Sequence, residues 1–147
     1  MKIAFEYGLP VTVVVIAWVV IVRFLMGVGG DSRVNLLAPI IFNVAQIVAI
    51  FLGTIRRKDE SGGDLSFKDG IKTGVGISFV YAALSCLFFV IEYLVAGPKL
   101  LLTEAGAQDR PLWQVAAMAY TGLFVGSLTF GLIYSTVISF FLAKRAA

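Results

Sequence analysis

The chain has 147 residues, 59% of them hydrophobic and 14% charged, with a mean hydropathy of +0.94. A water-soluble globule of this size leaves too much of its chain at the surface to hide that apolar content, so lipid is the solvent for most residues. The net charge is only +3, and the basic residues gather at the ends of apolar runs, a membrane-topology pattern that excludes nucleic acid as a partner.

Histidine is absent, which removes the commonest general base, metal ligand and haem ligand, so neither a metal nor another cofactor is expected. The single cysteine, Cys86, lies inside an apolar run, where a thiol behaves as a small hydrophobe. A helix needs about 20 residues to cross about 30 Å of hydrocarbon, and four runs reach that length: 9–26, 36–55, 71–96 and 112–142. They predict an all-α polytopic membrane protein with four transmembrane helices in one domain over 1–147, joined by connections 27–35, 56–70 and 97–111.

The first run follows Lys2 and resembles a signal peptide in outline. It is long, contains Arg23 and lacks a small-x-small cleavage site, so the first helix is expected to stay. Val11, Val13, Val14, Val15, Val19, Val20 and Val22 make it look lipid-facing over much of its circumference. Gly27, Gly29, Gly30 and Asp31 then break the chain.

In the second run, Pro39 falls in an opening turn, where a missing N–H breaks no internal bond. Asn43 and Gln46 share a face near mid-membrane. Amides at that depth are satisfied by a neighbouring helix or line a polar path, in which Thr12 and the serines of the last two helices would join them. The stretch from Arg56 to Lys72 holds five basic residues, nearly cancelled by Asp59, Glu60, Asp64 and Asp69. It reads as a solvated connector whose Arg56, Arg57 and Lys58 anchor the second helix, rather than as a site for acidic lipid heads.

The third run carries Gly70, Gly74, Ser78, Ala82 and Cys86 at four-residue spacing, and the fourth carries Ser127, Gly131, Ser135 and Ser139 likewise, with Gly122 and Gly126 as a second short row. Small residues let helices approach closely in lipid, so these faces predict packing of the last two helices within one chain or, alternatively, dimerisation. Gly97 and Pro98 end the third helix, Lys99 to Gln108 is expected to lie along the interface, and Pro111 opens the fourth helix.

Two charges lie inside helices, Arg23 and Glu92, each three or four residues from the predicted helix end and so at one depth. They are expected either to form an ion pair between the first and third helices or to snorkel separately. Orientation follows from the other basic residues. Eight (Lys2, Arg56, Arg57, Lys58, Lys68, Lys72, Lys144, Arg145) fall at the termini and middle loop, against three (Arg33, Lys99, Arg110) in the other loops, which predicts both termini inside.

The second helix ends Phe51-Leu-Gly-Thr-Ile-Arg-Arg-Lys, and Gly62-Gly-Asp-Leu-Ser-Phe-Lys-Asp-Gly-Ile-Lys-Thr-Gly74 runs straight into the third. In these segments and in the layout of nearly the whole chain, the sequence resembles a family of bacterial four-helix membrane proteins defined only as a domain of unknown function. The resemblance implies a bacterial cytoplasmic membrane and four helices, and supplies no activity.

No convergent nucleophile, base or metal cluster accompanies these features, so an enzyme is not expected. The residues point to a non-enzymatic membrane protein that associates with other membrane subunits, as an accessory or assembly subunit, or with itself. The alternative is a small oligomeric transporter or channel with a polar path near Asn43 and Gln46.

Overall fold

The computed structural model describes residues 1–27, 37–98 and 110–143. The expected interfacial stretch Lys99 to Gln108, together with Arg33, Lys144 and Arg145, lies outside these residues. The described residues form four helices: α1 over Lys2–Val19, continued by a π-helical segment over Val20–Leu25, then α2 over Leu37–Glu60, α3 over Phe67–Ala96 and α4 over Leu112–Leu142. Each is long and apolar enough to cross a membrane.

Three helices begin or end beyond the apolar run that marks them. The backbone of α1 is helical from Lys2, because polar residues at the membrane surface extend a helix as well as apolar ones do. Pro10 is therefore inside α1, where its missing N–H leaves a carbonyl one turn earlier without its usual helical partner. Helix α2 runs on to Glu60, supported by an Arg56–Glu60 pair at 3.2 Å, and stops where Gly62 and Gly63 take positive φ angles of 70° and 93°. The Gly63 amide donates back to the Lys58 carbonyl at 2.9 Å, as in glycine-terminated helices.

Helix α3 starts four residues ahead of Ile71, where a capping signal outweighs hydropathy. The Ser66 hydroxyl oxygen accepts from the Asp69 amide at 3.1 Å, and the same hydroxyl donates to the Asp69 carboxylate at 2.7 Å. Leu65, just before the cap, is buried against Gly70.

Consecutive helices run in opposite directions. Gly53 of α2 lies against Ile3 and Tyr7 near the start of α1, Gly74 of α3 against Ile50 of α2, and Gly70 against Ser139 near the end of α4. Helix α3 packs on all three others, while α1 and α4 flank the α2–α3 pair. The apolar core comprises Val11, Val15, Ala49, Ile50, Ile77 and Tyr81.

This arrangement corrects the reading of α1. Val11, Val15, Val19 and Val22 are buried, and with Gly8 and Thr12 they form one stripe at helical spacing. Only the intervening valines Val13, Val14 and Val20 face outward. A run of valines carries no phase of its own, so composition hides the stripe that α2 and α3 select.

Candidate functional site

The polar groups of the membrane interior collect where α2, α3 and α4 meet. Glycine on one helix faces serine on the other at successive turns: Gly70 opposite Ser139, Gly74 opposite Ser135, Ser78 opposite Gly131. A Cβ on Gly74 would sit 2.8 Å from both Ser135 Cβ and Ile50 Cγ2, so neither partner has room to yield. Ala82 and Ser127 continue the row and are buried as well. Ser78 and Ser135 return their hydroxyls to carbonyls of their own helices, Gly74 and Gly131, which leaves the hydroxyl oxygens available as acceptors.

Gln46 uses that acceptor. Its side-chain amide nitrogen donates to Ser78 Oγ at 3.0 Å and to the Ser127 carbonyl at 2.9 Å, so one buried residue of α2 ties α3 to α4. Asn43, one turn away, accepts from the Tyr134 hydroxyl at 2.7 Å and donates to the Pro39 carbonyl at 2.7 Å. Thr12 donates within α1, to the Gly8 carbonyl at 3.2 Å. The two amides thus form cross-links between helices. Among the described residues, Ser85 and Ser139 keep buried hydroxyls with no hydrogen-bond partner.

Comparison with protein families gives a match to the family described as "Protein of unknown function (DUF4199)" over residues 6–144. The chain belongs to the DUF4199 family. No curated protein and no solved structure matches it.

In this DUF4199 chain the two intramembrane charges lie at the end of the bundle remote from the 61–66 turn. Arg23 is half-buried on the π-helical segment that ends α1, and Glu92 is buried one turn before the end of α3. Both make polar or electrostatic interactions. The π-turn closes with the Met26 amide donating to the Ile21 carbonyl at 2.9 Å. Within this segment Val22 is buried and Arg23 half-buried, so Arg23 stands at the edge of the buried stripe of α1.

Gly122 and Gly126, the second small row of α4, have open space where a side chain would stand. Among the described residues, no atom stands within 4 Å of where their Cβ atoms would be.

Several residues that build the DUF4199 network escape a reading of small-residue rows and amides. Tyr134 is one; its sequence signal is a phenol in mid-membrane, which needs an acceptor on a neighbouring helix. Gly8 is another: a Cβ there would stand 2.9 Å from the Ile77 carbonyl oxygen, so α1 and α3 touch through their backbones.

Proposed function

We propose that this chain is a non-enzymatic membrane protein whose task is association, as an accessory or assembly subunit of a larger membrane complex or as a homo-oligomer. The observation that carries this reading is the use of Asn43 and Gln46: both amides bond to groups within the bundle. A transport path along them would require those bonds to be given up, at a cost of about 1 kcal/mol each. The reading places both termini on the cytoplasmic side of a bacterial inner membrane, from the excess of basic residues at the termini and middle loop.

Extraction of the tagged protein into a mild lipid-preserving system, followed by mass and composition of the native species, tests it. A stoichiometric foreign subunit or a defined homo-oligomer is the expected result. A homo-oligomer that conducts or transports in liposomes, and loses flux but not its fold as Asn43→Leu/Gln46→Leu, would replace association with transport.

The same reading gives Arg23 and Glu92 a structural role, an ion pair joining α1 to α3 at their shared end. Arg23→Glu and Glu92→Arg are each expected to lower folded yield. The double reversal is expected to restore it, and a double variant as defective as either single one rules the pair out.

A further inference from the structure

Hydrogen bonds divide the charges at the 61–66 end of the bundle into two sets. Arg56 pairs with Glu60, Lys58 donates to the Leu142 carbonyl at the end of α4 at 3.0 Å, and the Asp69 carboxylate accepts from Ser66. Lys68 and Lys72, one turn apart on α3, are exposed and have no such partner among the described residues. Neither ammonium group forms an ion pair among the described residues, although Asp69, which keeps its charge while it accepts from Ser66, lies between them in the sequence.

Helical phase places them against lipid. At about 100° per residue, Lys68, Lys72, Phe79, Leu87, Val90 and Leu94 fall within an arc of about 100°. The apolar members are 53%, 55%, 38% and 74% exposed in that order, while Gly74, Ser78 and Ala82 turn away against α4. Lys72 and Leu94 are 22 residues apart, about 33 Å along the axis, close to the roughly 30 Å thickness of hydrocarbon. With the apolar stripe across the hydrocarbon, both lysines stand at the level of lipid phosphates.

We infer that Lys68 and Lys72 hold the phosphate of an anionic phospholipid whose acyl chains lie along Phe79, Leu87 and Val90. Charge complementarity selects this occupant. Two ammonium groups on adjacent turns suit a phosphate with no cation of its own, whereas a zwitterionic head brings a competing ammonium. The long methylene stems of the lysines lie along the apolar stripe while their heads reach the phosphate.

The test uses full-length protein in nanodiscs of equal phosphatidylglycerol and phosphatidylcholine, with retained lipids counted by native mass spectrometry during stepwise delipidation. The wild type is expected to keep phosphatidylglycerol preferentially. Lys68→Gln/Lys72→Gln should weaken that retention about fivefold per lysine, whereas Lys68→Arg/Lys72→Arg and Arg56→Gln should preserve it. Equal retention of the two lipids by the wild type, or undiminished phosphatidylglycerol on the folded Gln variant, overturns the inference. If the Gln variant does not fold, salt titration of the wild type decides: screening should release the lipid, and retention unchanged at high salt overturns the assignment.

Discussion

Helix α4 carries two rows of small residues in different surroundings. Ser127, Gly131, Ser135 and Ser139 are buried, and at Gly131 Ser78 of α3 and Gln46 of α2 already occupy the space a side chain would need. Gly122 and Gly126 have no atom of the described residues within 4 Å of where a side chain would begin. Small size has a different meaning in each row: in the first it permits backbone approach and serine–glycine interlocking, and in the second it leaves a shallow face for whatever adjoins the protein in the membrane.

The sharpest way to break this contrast is Gly131→Leu, which forces a side chain into Ser78 and toward the Gln46 amide 3.1 Å from the Cβ position. Unfolding in a bilayer mimic is expected to show a loss of about 3 kcal/mol or more. Gln46→Leu removes two inter-helix hydrogen bonds with little change of volume and should cost about 1 kcal/mol by the same measurement. Smallest of all, Gly122→Leu and Gly126→Leu should leave monomer stability within about 0.5 kcal/mol. Chemical cross-linking of those two variants sharpens the comparison, since lost association with unchanged stability would make the outer row a contact surface between chains.

Legibility in the sequence varied with the kind of signal. The boundaries at Gly62, Gly97 and Leu112 coincide with local breaks that depend only on nearby residues. The starts at Lys2 and Phe67 were hidden from hydropathy because helices continue through polar residues, and the Ser66–Asp69 cap is a hydrogen-bonding signal rather than an apolar one. In the site, Gln46 was legible as a buried amide, but its partners were not. The Ser127 carbonyl is a main-chain group that every residue carries, and only the approach of α4 distinguishes it.

Length and hydropathy alone determined four helices able to span a membrane, because crossing the hydrocarbon is a one-dimensional requirement on consecutive residues. Spacing alone narrowed the packing faces of α3 and α4 to a few rows. The tertiary structure decided which valines of α1 are buried, which small row of α4 is filled, and which charges near the 61–66 turn keep partners. These depend on the rotational phase of each helix against its neighbours. That phase is set by a neighbour's shape and hydrogen-bonding groups, as when Ser78 fills the space that Gly131 leaves.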